Sequence, residues 1–159
     1  MSDEMEEGSI VGIRESATAT IKSAPADVFR TVTDLKRLPE WNKGIVEVVE
    51  LPDQLQEGSL WKVRVRAMGQ SWVSKSTLTE LDPESSRFAY RSQSDDGNPS
   101  FADWAWHIEP DGAGSRVTVT VDLNPLTFWR KNLLIKIRRT SLRKEMHESL
   151  AALQSAVAS

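Results

Sequence analysis

The chain of 159 residues contains no cysteine and only two histidines. Disulfide frameworks, thiolate zinc sites and cysteine nucleophiles are therefore excluded, and the histidines are too few for a histidine-rich metal site. The chain also lacks a phosphate-cradling glycine loop and a nucleophile elbow. We therefore expect no cofactor and no metal.

Long apolar runs are missing as well. No stretch approaches the length of a transmembrane segment. The N-terminus, from Met1 to Glu7, carries acids where a signal peptide needs basic residues and an apolar core. These absences predict a cytoplasmic protein. We expect residues 1–9 to form a disordered acidic tail. The length of the chain is that of a single domain, which we place at residues 10–159.

Charge is distributed unevenly along the chain. The formal net charge is −3, but seven basic residues and no acid lie between Arg130 and Lys144, while the other 13 basic and 23 acidic residues leave −10. One basic segment on an acidic protein, without a base-stacking arrangement, does not predict nucleic-acid binding. Leu133 and Ile137 interrupt this segment. They leave open transient contact with an anionic membrane surface, or a patch for a homodimer or partner, but the plainer alternative of a solvated charged face with two incidental apolar residues is favoured.

Alternation of apolar and polar residues predicts seven strands with turn chemistry between them. Ala24-Pro25-Ala26-Asp27 begins a helix after the first strand, and a second short helix follows at residues 36–43. The predicted strands are residues 13–23, 45–51, 60–67, 71–81, 87–94, 101–109 and 116–123.

The last part of the chain, residues 126–157, predicts one long amphipathic helix. At about 100° per residue, its apolar stripe collects Phe128, Asn132, Ile135, Arg139, Leu142, Met146, Leu150, Leu153 and Val157. The C-terminal half of this stripe is apolar, whereas Asn132 and Arg139 interrupt the other half. That half indicates either a cavity mouth or a core helix with a frayed first turn. Only this helix can cover a seven-stranded sheet, so the sheet should curl around it.

Several segments together carry a family resemblance. They are Ala24–Phe29, Asp34–Asn42, Leu78–Pro83, the Trp106-x-Ile108-x-Pro110 strand end and Gly114–Thr118. With them the chain resembles the helix-grip proteins of the START-like (SRPBCC) superfamily, which include polyketide cyclase and dehydrase relatives and lipid-transfer domains. The resemblance implies an α+β fold in which a seven-stranded curved antiparallel sheet wraps around a long C-terminal helix, with two short helices between strands 1 and 2. It also implies a cavity between sheet and helix, open near the short helices.

Six tryptophans in so short a chain are more than a small core needs, and several fall on inward strand faces. Arg139 lies inside the apolar stripe, where its head must reach water, an internal carboxylate or an anionic ligand group. The predicted ligand-binding residues are Trp41, Trp61, Val63, Phe88, Tyr90, Trp104, Trp106, Leu123, Ile135, Arg139, Leu142 and Met146. No catalytic residue is assigned.

The leading interpretation is a protein that binds and transports a small hydrophobic ligand, such as a lipid, a polyketide or an isoprenoid-like molecule. The first alternative is a polyketide cyclase or dehydrase that uses Tyr90 with Arg139, or the Asp103 and His107 pair. That pair shares a strand face opposite the tryptophans, which favours a surface position. The second alternative is a protein-interaction module on the same fold.

Overall fold

The computed structural model describes residues 13–126 and 135–159, with side chains described from Arg138 onward in the second range. Seven strands form one antiparallel sheet: β1 (Ile13–Ile21), β2 (Ile45–Glu50), β3 (Leu60–Ala67), β4 (Gln70–Asp82), β5 (Arg87–Ser94), β6 (Phe101–Asp111) and β7 (Gly114–Asn124). The helices are α1 (Pro25–Val32), α2 (Leu38–Trp41), which follows the 3₁₀ turn Leu35–Arg37, and α3 (Ile135–Ala158). The predicted α+β fold class is confirmed.

The sheet order is β1-β7-β6-β5-β4-β3-β2. Strands β2 to β7 form a meander of sequential neighbours, and β1 adds to the edge beside β7. The first and last strands are therefore paired, from Ile13 opposite Leu123 to Ile21 opposite Ser115. Strand β2 lies at the other edge and pairs irregularly with β3 through two register shifts.

Turn chemistry sets the strand ends. Met68 and Gly69 join β3 to β4 with φ values of 55° and 74°, as a two-residue type I′ turn requires. Gly112, with φ of 61°, begins the turn between β6 and β7, which pair as far as Asp111 and Gly114. The sequence interpretation ended the sixth strand at Glu109, before the turn residues that begin with Pro110. The strand instead continues through Pro110, because the short turn closes the hairpin directly.

The apolar core lies between α3 and the sheet. The helix contributes Leu142, Met146, Leu150 and Leu153 to it, all almost completely buried. They belong to the same cluster as Val28 and Val32 of α1, Trp41 and Trp106, and the inward valines 117, 119 and 121 of β7. Burial of these side chains is the main stabilising contribution of the sheet–helix interface.

Leu126 itself is not helical, and its N–H donates to Ser100 Oγ at 2.8 Å; residues 127–134 lie outside the described residues, so the predicted start of the long helix near Leu126 stays a prediction. The predicted tail at residues 1–9 lies outside the described residues, as do Phe128, Arg130, Asn132 and Leu133 and the side chains of Ile135 and Ile137. In the described ranges, no helix combines the length and apolar character that crossing a membrane requires.

Candidate functional site

A pocket of about 240 Å³ lies between the inward face of the sheet and the first described turns of α3. Strands β3 to β7 and the segment that carries the short helices supply its walls, and Arg138, Leu142 and Glu145 of α3 border it. Met68, 40% exposed, and Gln70, also exposed, border it at the β3–β4 turn. We call this space the central pocket.

One wall of the central pocket is aromatic. Tyr90 of β5 stacks with Trp104 at 6.2 Å between ring centroids and meets the Trp61 ring edge to face at 5.2 Å. Phe88 stacks with Trp61 at 6.1 Å. Alternation along the strands places these rings on one face, and cross-strand pairing sets them side by side, with Tyr90 opposite Trp104. The rings are therefore held by one another and by the ladder.

The neighbouring wall is polar. Ser74 and Ser76 of β4 point inward, and the strand register sets them opposite Ser94 and Ser92 of β5. Ser76 is 2% exposed and Ser74 is 8% exposed. Ser92 Oγ accepts a hydrogen bond from Trp104 Nε1 at 3.2 Å. Hydroxyl groups thus continue the surface that the aromatic rings begin.

Arg138 and Glu145 form an ion pair where α3 borders the pocket. Arg138 Nη1 lies 2.7 Å from Glu145 Oε2, which also accepts from Ser141 Oγ at 2.8 Å. The two residues are seven apart, so they lie on one side of the helix. The Arg138 guanidinium lies 5.6 Å from the Trp72 ring centroid. Gly44 allows the close approach of the carboxylate, because a Cβ there would lie 2.7 Å from Glu145 Oε1.

Burial raises the pKa of Tyr90 to about 12, and the Trp106 side chain opposes that rise by stabilising the phenolate. The phenol therefore stays protonated at neutral pH. A group with such a pKa is a poor general base near pH 7 but a persistent hydrogen-bond donor. Tyr90 is suited to holding an acceptor oxygen.

Seven of the predicted site residues border the central pocket: Trp61, Val63, Phe88, Tyr90, Trp104, Leu123 and Leu142. Trp41, Trp106 and Met146 lie instead in the apolar core, where Trp41 meets Trp106 edge to face at 5.3 Å. The Trp41 Nε1 is buried without a hydrogen-bond partner among the described residues. The side chain of Ile135 lies outside the described residues.

Arg139 does not border the pocket. Its Nε donates to Glu15 on the inward face of β1, and Arg143 Nε donates to the same carboxylate at 3.1 Å. Glu15 is 7% exposed, and the hydrogen bonds from Arg143 and then Arg139 hold the pKa of Glu15 below its usual range. The sequence predicts that the Arg139 guanidinium reaches water, an internal carboxylate or an anionic ligand group. In the structure it binds an internal carboxylate, that of Glu15. Arg138 occupies the position beside the pocket that the sequence interpretation assigned to Arg139.

Asp103 and His107 lie on the strand face opposite Trp104 and Trp106. Asp103 accepts two hydrogen bonds from Arg91 at 2.7 and 3.0 Å on that outer face. His107 Nδ1 lies 4.0 Å from Glu109 Oε1. This pair is therefore separated from the pocket by the sheet. Within the described ranges, no cluster of three His, Cys, Asp or Glu side chains could hold a metal ion.

Sequence reasoning missed three groups: the inward serines, Glu15 and Arg138. The signal for the first two was strand alternation, since Ser74 and Ser76 share a face with Leu78, and Glu15 shares one with Ala17. No comparable pattern indicated Arg138, because the helical periodicity placed Arg139, and not Arg138, in the apolar stripe.

Comparison with known proteins supports this architecture. The sequence model of the family described as polyketide cyclase / dehydrase and lipid transport matches residues 13–158. No curated protein matches the chain. The crystal structure of TTHA0849 from Thermus thermophilus has a TM-score of 0.74 and 22% identity, covering 92% of this chain and 97% of that one.

Two further solved structures have the same fold. Zhui aromatase/cyclase from Streptomyces sp. R1128 has a TM-score of 0.66 and 17% identity, covering 92% of this chain and 91% of that one. Ginseng major latex-like protein 151 from Panax ginseng has a TM-score of 0.69 and 16% identity, covering 91% and 97%. At such identities, the likeness concerns the fold.

Proposed function

The chain belongs to the polyketide cyclase / dehydrase and lipid transport family, and on that premise we propose that it binds a small hydrophobic ligand in the central pocket. The observation that carries the proposal is the pocket itself, about 240 Å³ in volume and bordered by the rings of Trp61, Phe88, Tyr90 and Trp104. Apolar pockets with a few placed polar groups are the usual form of a small-molecule site.

The size of the pocket supports a ligand of one to a few rings. An apolar protein cavity of about 150 Å³ is sufficient to bind benzene. The central pocket is larger and has flat aromatic walls, so a fused two-ring compound is a suitable first probe. Burying its apolar surface supplies the affinity.

The charge and acidity of the pocket favour binding over acid–base catalysis. Tyr90 stays protonated because its pKa is about 12. Arg138 and Glu145 are held in an ion pair. Arg139, Asp103 and His107, which the enzymatic alternative requires, do not border the pocket. Cyclase or dehydrase activity remains the alternative, with Tyr90 as the hydrogen-bond donor to a substrate oxygen.

A fluorescence titration tests the proposal. The probe is prodan, a neutral naphthyl ketone whose emission shifts in an apolar site. We expect saturable binding with one site per chain and a dissociation constant of about 1–100 µM. Ala102 of β6 borders the pocket, so Ala102→Phe should fill it and weaken prodan binding at least about tenfold.

Ala105→Phe is the matched control, because Ala105 lies on the same strand, is exposed and does not border the central pocket. It should leave the affinity unchanged. Ala102→Leu, a smaller filling substitution, replaces Ala102→Phe if that variant does not fold by circular dichroism. No saturable binding to the original chain, or equal binding by the filled and unfilled proteins, would contradict the proposal.

A further inference from the structure

We propose that Ser74, Ser76 and Ser92 form a hydrogen-bonding subsite that selects a neutral carbonyl or hydroxyl oxygen of the ligand over a carboxylate. This inference rests on the proposed function and names the chemistry of the ligand's polar group. Three observations support it: hydroxyls without partners, their arrangement across two strands, and the absence of a free charge on the described pocket walls.

Ser74 and Ser76 are both more than nine-tenths buried and both border the central pocket. Neither side-chain hydroxyl has a hydrogen-bond partner among the residues that the structure describes, in contrast to Ser100 and Ser115, whose hydroxyls bond backbone groups. Trp41 Nε1 is the one fully buried side-chain polar atom without a partner among the described residues, so the Ser74 and Ser76 oxygens are open to the pocket, where water can reach them. A ligand oxygen beside Ser74 and Ser76 would take the place of that water.

Ser92 completes the arrangement. It lies opposite Ser76 in the β4–β5 ladder, where directly opposed Cβ atoms are about 5 Å apart. Its Oγ already accepts the Trp104 Nε1 hydrogen, so the hydroxyl proton is left to be donated. A carbonyl oxygen has two lone pairs and can accept from Ser76 and Ser92 together. Trp104 also stacks with Tyr90, so the same residue joins the polar subsite to the aromatic wall.

Charge decides between neutral and anionic ligands. Arg138 and Glu145 are the charged side chains among the described pocket residues, and each compensates the other at 2.7 Å. A ligand carboxylate would lose its hydration without gaining a cation, or would have to displace Glu145 from Arg138. A ketone or alcohol loses much less on entering and is fully satisfied by neutral hydroxyls.

Three probes of nearly one shape test the inference by titration calorimetry: 2-acetylnaphthalene, its hydrocarbon isostere 2-isopropenylnaphthalene, and 2-naphthoate. Ser76→Ala should weaken the ketone about three- to tenfold, the effect of one hydrogen bond, and leave the hydrocarbon unchanged. Ser71→Ala is the matched control, since Ser71 is exposed on the outer face of the same strand. In the original chain, 2-naphthoate should bind at least about tenfold more weakly than the ketone.

A further variant tests the charge argument. Glu145→Gln removes the acid that holds Arg138, so it should strengthen 2-naphthoate binding more than ketone binding, because the carboxylate gains a cation and the ketone gains at most a hydrogen bond. Equal effects of Ser76→Ala on ketone and hydrocarbon, or tighter binding of 2-naphthoate than of the ketone, would overturn the inference while the proposed function stands. If none of the three probes and no prodan binds, the proposed function fails and the inference fails with it.

Discussion

Buried serines in this protein do two different things. Ser115 is completely buried, and its Oγ donates to the Ser23 carbonyl at 2.6 Å, while Ser149 Oγ accepts from the Lys43 N–H at 2.9 Å. Each satisfies a backbone group that the strand and helix ladders leave open. Ser74 and Ser76, 8% and 2% exposed, are also buried but face the central pocket without such partners among the described residues. Burial alone therefore does not separate structural serines from candidate binding serines, whereas hydrogen bonding does.

This difference predicts opposite stability effects for the same substitution. Ser115→Ala should lower the free energy of unfolding by about 1–3 kcal/mol, because the Ser23 carbonyl loses its partner inside the protein. Ser76→Ala should leave it unchanged or raise it slightly, because no internal hydrogen bond is lost. Urea denaturation measures both. A loss of stability in Ser76→Ala as large as in Ser115→Ala would show that the Ser76 hydroxyl is bonded in the free protein.

Strand alternation was a good guide to which residues face inward. The predicted bounds of β3 and β5 agree residue for residue with the structure, and Trp61, Phe88, Tyr90 and Trp104 all border the pocket. Alternation does not indicate which inward residues border the pocket and which pack against the helix. Trp104 borders the pocket, but Trp106, two residues on along the same face, lies in the core, where it packs against Trp41.

The long helix was harder to interpret, because successive residues differ by about 100° in direction. Arg139 lies in the apolar stripe as predicted, and that stripe faces β1 and the core, where Glu15 receives it. The pocket lies along one edge of the stripe, where Leu142 of the stripe borders it together with Arg138 and Glu145 beside the stripe. The position of a void relative to a helix depends on the curl of the sheet, which no periodicity in the helix encodes.

The carboxylate of Glu15 joins two elements that are distant in sequence, since Arg139 and Arg143 of α3 both bond it from above β1. Arg143 and then Arg139 lower the pKa of Glu15. A carboxyl whose pKa is lower in the folded chain contributes stability at pH values above its unfolded pKa, about 4.3, and loses it as pH falls through the folded value. The contact therefore weakens in acid.

Glu15→Gln tests this contribution. At pH 7 it should cost about 1–2 kcal/mol, less than a fully buried pair costs, because the half-exposed arginines return to water. The difference between the two proteins should be constant above about pH 5 and shrink below about pH 4. Urea denaturation across pH measures the difference. A constant gap from pH 7 to pH 3 would mean that the Glu15 charge contributes nothing.

At the scale of the whole molecule, the basic segment between Arg130 and Lys144 carries less unpaired positive charge than its composition indicates. Arg138, Arg139 and Arg143 each bond a carboxylate, Glu145 or Glu15. Ion-paired arginines attract anionic surfaces less than free ones, because the acids cancel much of their field. Contact with an anionic membrane and homodimer formation stay predictions, and the pairing favours the plainer alternative of a solvated face.

The interior of the molecule has two ends of different character. Around Leu150 and Leu153, α3 shares one buried apolar cluster with α1 and the valines of β7. Around Leu142 the same helix borders the central pocket. Close packing makes the first end sensitive to lost volume. The pocket end already lacks part of its packing contacts, and it is the end where a ligand would add them.

Leucine-to-alanine substitutions compare the two ends directly. Leu150→Ala should lower the free energy of unfolding by about 3–5 kcal/mol, because it creates a cavity in dense packing. Leu142→Ala should cost about 2 kcal/mol, because it enlarges a space that already exists. The enlarged pocket should also bind 2-acetylanthracene more tightly relative to 2-acetylnaphthalene, a change that Leu150→Ala should not produce. Urea denaturation and titration calorimetry measure these effects, and equal stability losses with unchanged ligand preference would show that Leu142 belongs to the dry core and not to the pocket.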